Sequence, residues 1–99
     1  MRRDARRTIV AYDVPDDRRR TRLARILLGY GDRIQYSVFL IDAAPVKLAR
    51  LRAALEEEAA LDEDSLLFCD LGLVSDQQDG RFSFSGLGRP FTTPGSFIV

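Results

Sequence analysis

Thr8-Ile9-Val10-Ala11-Tyr12-Asp13-Val14, closed by Pro15-Asp16-Asp17 and followed by Leu23, Ile26, Leu27 and Tyr30, is the stretch that decides the fold. Its first seven residues are β-branched, aromatic or apolar apart from Asp13, and they stop at a proline-aspartate turn signal, which predicts a buried strand. The next apolar residues fall at i, i+3, i+4 and i+7, which predicts a helix capped by Asp16 or Asp17 and ended by Gly31.

Outward from this unit the same two periodicities recur. Arg33-Ile34-Gln35-Tyr36-Ser37-Val38-Phe39-Leu40-Ile41 is extended-type sequence, either one long strand or two short ones kinked near Tyr36-Ser37. Pro45 suits a first helical turn, and Ala44, Leu48, Leu51, Leu55 and Ala59 make the buried stripe of a second helix, with Glu56-Glu57-Glu58 as its solvated end. Ser65-Leu66-Leu67-Phe68-Cys69-Asp70-Leu71 reads as a further buried strand, and Arg81-Phe82-Ser83-Phe84-Ser85 alternates with period two after Asp79-Gly80. Phe97-Ile98-Val99 is an apolar tip too short to stand alone, so it must pair with an existing sheet edge. The order predicts an α+β, ferredoxin-like β-α-β-β-α-β sandwich, with one antiparallel sheet under two helices and an extra C-terminal strand. No repeat or linker divides the chain, so residues 1–99 are expected to form a single domain.

With 99 residues, 45% of them apolar, such a domain buries only part of its apolar surface, and pairing with a second copy is a natural source of stability. No stretch approaches the ~20 apolar residues of a membrane span, and the arginine-rich start has no signal-peptide cleavage pattern. A cytoplasmic protein with no membrane contact is expected. Cys69 is the only cysteine, which suits a reducing compartment, and it is expected to be a small buried hydrophobe. The chain has no histidine, which removes the usual zinc ligand, the usual neutral-pH base and every Ser-His or Cys-His pair. Any chemistry must use carboxylates, hydroxyls, arginines or a hard cation.

The zero net charge hides a division. Residues 1 to 52 hold thirteen Lys/Arg against six Asp/Glu, whereas residues 53 to 99 hold two against nine. Arginine outnumbers lysine fourteen to one, and guanidinium suits bidentate phosphate binding. A clustered positive field of this kind attracts polyanions. Arg18, Arg22 and Arg25 share one side of the first helix, away from its apolar stripe, while Arg18 to Arg20 crowd an N-terminus whose dipole favours acid. Something other than helix stability is expected to hold them there.

Asp13 follows Ile9 and Ala11 on one face of the first strand, so a carboxylate ends an apolar row. Its charge needs a cation, hydrogen-bond donors or a metal, and both a structural role and a metal or catalytic role stay open. If it binds a metal, hard oxygen without His or Cys points to magnesium or manganese. A two-fold axis near the end of this strand would bring a second Asp13 alongside.

Four ordered motifs over residues 8 to 60 carry a family resemblance: Val10-Ala11-Tyr12-Asp13-Val14, Asp16-Asp17-Arg18-Arg19-Arg20-Thr21-Arg22, Tyr30-Gly31-Asp32-Arg33, and Gln35-Tyr36-Ser37-Val38-Phe39. The chain resembles the CRISPR-associated protein two family, also called CRISPR-associated endoribonuclease, the small subunit of the spacer-acquisition complex. The resemblance implies a ferredoxin-like fold, a homodimer, and a divalent ion (Mg2+ or Mn2+) held by the catalytic first-strand aspartate of each chain, here Asp13. It also implies nucleic-acid or interface roles for Tyr12, Arg20, Arg22, Arg33, Ser37 and Phe39. The partners it implies are DNA or RNA and CRISPR-associated protein one, the integrase, and the tail from about residue 86 to 99 is expected at the dimer interface.

Two functions follow from it. One is metal-dependent endonuclease activity on RNA or DNA, and the other is a non-catalytic clamp bridging integrase dimers on protospacer DNA. A third possibility, from fold alone, is a regulatory domain for a small ligand. The chain departs from the family pattern in its basic leader Arg2, Arg3, Arg6 and Arg7, which reads either as added phosphate contacts or as a frayed end.

Overall fold

The computed structural model describes residues 3–78 and 81–87. Its elements run β1 (Arg6–Asp13), α1 (Asp17–Leu28), β2 (Asp32–Gln35), β3 (Val38–Ala43), α2 (Pro45–Glu58) and β4 (Ser65–Leu73), with a short 3-10 turn over Val74–Asp76. The strands form one sheet in the order β2-β3-β1-β4, and every neighbouring pair is antiparallel. Each helix therefore crosses over a strand that lies between the two it connects, which is the split β-α-β arrangement of a ferredoxin-like fold.

Local chemistry explains the boundaries. Asp16 caps α1 by accepting the Arg19 backbone N–H at 2.8 Å, and Gly29 caps the other end, two residues before the expected stop. Gly31 serves a different purpose: a Cβ there would lie 2.2 Å from the Leu40 carbonyl oxygen, so only glycine lets the chain enter β2 so close to β3. Pro45 opens α2 where its missing N–H costs nothing. Extended sequence from 33 to 41 resolves into two strands that turn back at Tyr36-Ser37. A register shift in the β1–β4 pairing leaves Leu71 without a partner in β1, and Gly72 beside it takes φ +98°, a conformation that favours glycine.

Both helices cover the same face of the sheet. Val10, Tyr12, Phe39 and Ile41 from the strands meet Leu23, Leu27, Leu51 and Leu55 from the helices in the main core. Burial of each large side chain there contributes about 1.5–3 kcal/mol. The opposite face carries Ile34 and Leu40, against which Ile9, Val38, Phe82 and Phe84 pack.

Three expectations change. Arg6 and Arg7 are not a frayed leader but the first residues of β1, and Arg7 is buried against Asp42. Residues 81–85 form no strand in this chain; Phe82 and Phe84 use their alternation to lay two rings on the open face as a loop. Cys69 is exposed, because β4 is an edge strand and Cys69 pairs with Ile9 on the face that no helix covers. The expected strand at Phe97-Ile98-Val99 and all but Gly86 and Leu87 of the tail lie outside the described residues. Among the described residues, no helix is long and apolar enough to cross a membrane.

Candidate nucleic-acid interface

Asp13 closes β1 on the open face, in line with Ile9 and Ala11 and opposite Ser65 of β4. It is exposed, and among the described residues its carboxylate forms no ion pair. Arg19, Arg20 and Arg22 of α1 are paired with Asp64, Asp17 and Glu58 rather than with Asp13, whose charge faces solvent. That face is otherwise apolar: Ile9 and Ala11 are half-buried, Leu67 is 57% exposed and Cys69 is exposed. The apolar row, partly covered by Phe82 and Phe84, ends in a carboxylate that forms no ion pair among the described residues.

The arginines divide by environment. Arg19 binds the buried carboxylate of Asp64, and Arg22 pairs with Glu58 of α2. Arg20 donates Nη1 to the Val14 carbonyl at 2.7 Å and pairs with Asp17 one turn back. Its pKa is raised first by the Asp17 hydrogen bond and then by that of Tyr36. The Arg33 guanidinium sits 5.1 Å from the Phe39 ring centroid and 5.9 Å from that of Tyr36, stacked on aromatics rather than ion-paired.

The remaining motif residues serve the scaffold. Phe39 has no exposed surface and stacks on Tyr12 at 6.1 Å between centroids, so it cannot itself touch nucleic acid from this chain. Tyr12 is 6% exposed and reaches the surface only at the floor of a groove beside α1. Ser37 is half-buried, and its carbonyl accepts the Tyr12 backbone N–H at 3.1 Å, which fixes the β2–β3 turn against β1. Arg25 and Tyr36, which were not among the expected site residues, do line that groove. The signal for Arg25 was its position on one helix side with Arg18 and Arg22; for Tyr36 it was an aromatic residue at a predicted kink.

A divalent cation suits the chemistry of Asp13, since magnesium and manganese take hard carboxylate oxygens and keep much of their water. Among the described residues, no three His, Cys, Asp or Glu side chains gather to hold an ion.

A split β-α-β sheet with two helices on one face, an apolar open face ending in a carboxylate and an arginine-lined flank define a small ferredoxin-like protein equipped for polyanions. The chain belongs to the CRISPR associated protein Cas2 family, whose model matches residues 6–79. It is 41% identical to "CRISPR-associated endoribonuclease Cas2 3" of Synechocystis sp., over 92% of this chain and 96% of that one. It is also 41% identical to "CRISPR-associated endoribonuclease Cas2" of Thermus thermophilus, over 82% and 86% of the two chains. Among solved structures it resembles a Thermus thermophilus protein described as hypothetical (TM-score 0.74, 33% identity, 89% and 99% of the two chains covered). It also resembles a crystal structure titled as Cas2 (TM-score 0.66, 26% identity, 96% and 99% covered).

Proposed function

We propose that the chain acts as a homodimer that binds nucleic acid in CRISPR spacer acquisition and hydrolyses phosphodiester bonds at paired Asp13 carboxylates with magnesium or manganese. The observation that carries this reading is the apolar open face that ends on Asp13. Packing that face on its copy removes Leu67 and Cys69 from water and supplies a second carboxylate. A bound divalent ion supplies charge stabilisation and a more acidic water, which a chain without histidine does not otherwise have. The protein's own share is to hold the nucleic acid. Arg20, fixed to the carbonyl of Val14, presents a cation at the strand end where Asp13 sits. Arg33 is held in orientation by its rings and meets the backbone without reading sequence. Residence in the cytoplasm, and docking on CRISPR-associated protein one, belong to the same reading.

A second reading, a non-catalytic clamp bridging integrase dimers on DNA, is favoured by the lack, among the described residues, of any gathering of three metal-ligating side chains at Asp13. It needs the arginine flank and the dimer and nothing from Asp13. Sedimentation together with cleavage of labelled RNA and DNA, with and without added magnesium or manganese, separates the two. The nuclease reading expects a dimer whose cleavage is abolished by chelator and by Asp13→Ala. A dimer that binds but never cleaves leaves the clamp, and a monomer that binds no nucleic acid defeats both.

A further inference from the structure

Between the outer side of α1 and the β2–β3 turn runs an open groove of about 510 Å3, within the about 300–1,000 Å3 of small-ligand sites. Tyr12 and Leu28 give it an apolar lining, Arg20 and Arg25 come from α1, and Arg33 and Tyr36 come from the far side. Three guanidinium groups thus face one carboxylate, Asp17, which is already paired with Arg20. Among the described residues, neither Arg25 nor Arg33 forms an ion pair. Among the described residues the buried Arg33 Nε–H has no acceptor, an unmade bond that an added anion can relieve. Tyr36 offers a ring that is 65% exposed at the groove's edge.

An anion alone would account for the arginines but not for the exposed ring and the apolar lining. A duplex would account for the arginines as well, since they can follow its phosphates, yet its bases are stacked on one another and show no face to Tyr36. A nucleotide outside a duplex has both parts: a flat base that stacks on an aromatic ring and a phosphate that takes guanidinium bonds. We infer that this groove is a binding site for one unpaired nucleotide, at a strand end, overhang or single strand, with its base on Tyr36 and its phosphate on Arg25 and Arg33. This rests on the nucleic-acid reading above and adds a preference for unpaired ends to it. The site lies on the helix-covered flank, clear of the open face that carries Asp13, so a dimer formed through that face leaves it accessible.

The test is fluorescence anisotropy of the full chain at fixed moderate salt with two probes, a short 5′-phosphorylated oligodeoxyadenylate and a blunt DNA duplex. Tyr36→Ala is expected to weaken the single strand about tenfold, the scale of one lost base stack, while the duplex changes by less than about twofold. Tyr36→Phe, which keeps the ring, is expected to bind both probes as wild type does. Arg25→Ala is expected to weaken the single strand as well. Equal loss on both probes, no loss on either, or a changed sedimentation coefficient for Tyr36→Ala overturns the site and leaves nucleic-acid binding standing. Wild-type binding to the duplex but not to the single strand has the same meaning. Wild-type binding to neither probe defeats the functional reading itself.

Discussion

Arg19 grips the carboxylate of Asp64 through two bonds, Nε to Oδ2 at 2.5 Å and Nη2 to Oδ1 at 2.8 Å, across 45 residues of sequence. The Asp64 side chain is fully buried and also accepts the Ala60 backbone N–H at 2.9 Å, so the pair ties the first turn of α1 to the loop between α2 and β4. Arg19 is the main reason the Asp64 pKa is lowered; burial opposes it and the Ala60 N–H assists. A carboxylate depressed on folding stabilises the fold above its unfolded pKa, and that contribution is lost as pH falls through the depressed value. Asp64→Asn should lower the thermal midpoint by several degrees at neutral pH, and the difference from wild type should vanish in acid. Melting curves across pH 2 to 7 (roughly the span of carboxylate titration) check it.

Asp32 carries the opposite sign. Burial, and then the nearby Asp42 charge, raise its pKa, and its Oδ2 is buried without a hydrogen-bond partner. A carboxylate raised on folding favours the folded state when protonated, so stability falls as pH rises through its folded value. Asp32→Asn removes the charge at similar size. It should raise the melting temperature at neutral pH and flatten this descending limb, with the gain lost at low pH where wild-type Asp32 is itself neutral.

Why one of these pairs was invisible in sequence and the element order was not has a physical answer. The strand over Thr8–Val14 and the helix stripe through Leu23, Ile26, Leu27 and Tyr30 are local periodicities, and local periodicity is what a single sequence records. The β2–β3 turn was legible only as one of two alternatives, because extended propensity is equal on both sides of Tyr36-Ser37. Arg7 looked like part of a solvated leader because its partner, Asp42, lies 35 positions away. Arg22 was expected at nucleic acid for the same reason, since its partner Glu58 lies 36 positions away. Cys69 was misplaced because an apolar run says a strand has a buried face, not that its second face stays uncovered. At the candidate site, Asp13 was legible as a carboxylate ending a strand, whereas the groove was not, since it joins Arg25 of α1 to Tyr36 of a turn.

The Arg7–Asp42 pair is the most enclosed ion pair among the described residues, with side chains 5% and 2% exposed. Two bonds hold it, Nε to Oδ1 at 2.8 Å and Nη2 to Oδ2 at 2.7 Å, and the Asp42 hydrogen bond raises the Arg7 pKa against the opposing effect of burial. Asp42→Ala takes two buried, charge-assisted hydrogen bonds from Arg7 and should cost about 3–5 kcal/mol in denaturant unfolding. Arg7→Met with Asp42→Leu should recover most of that loss, because two apolar side chains need no partner.

Gly31 gives a steric prediction. A methyl group there meets the Leu40 carbonyl oxygen at 2.2 Å and the Ile41 Cδ1 at 2.5 Å, and the carbonyl belongs to the β2–β3 ladder. The backbone must separate to admit it. Gly31→Ala should cost about 1–3 kcal/mol, typical of an overpacked core, whereas Gly86→Ala, where no atom lies within 4 Å of the added carbon, should lose only what its φ of +79° imposes. Chemical denaturation of the two variants side by side measures the difference.

The division of arginines into structural and free groups predicts how affinity responds to salt. Each guanidinium that neutralises a phosphate releases counterions, so its removal should lower the slope of log affinity against log salt by about one. Arg25 and Arg33 lie in the groove without ion pairs among the described residues, and Arg25→Ala and Arg33→Ala should each show that loss on a single-stranded oligonucleotide. Arg52 is the internal control: it pairs with Glu56 at 3.2 Å and lies 4.3 Å from the Phe68 ring centroid, on α2 and away from the groove. Arg52→Ala should leave the slope as it is in wild type. Equal slopes for all three variants would mean that phosphate is held by other cations, and the groove would lose its part in binding while the fold and its ion pairs stayed as described.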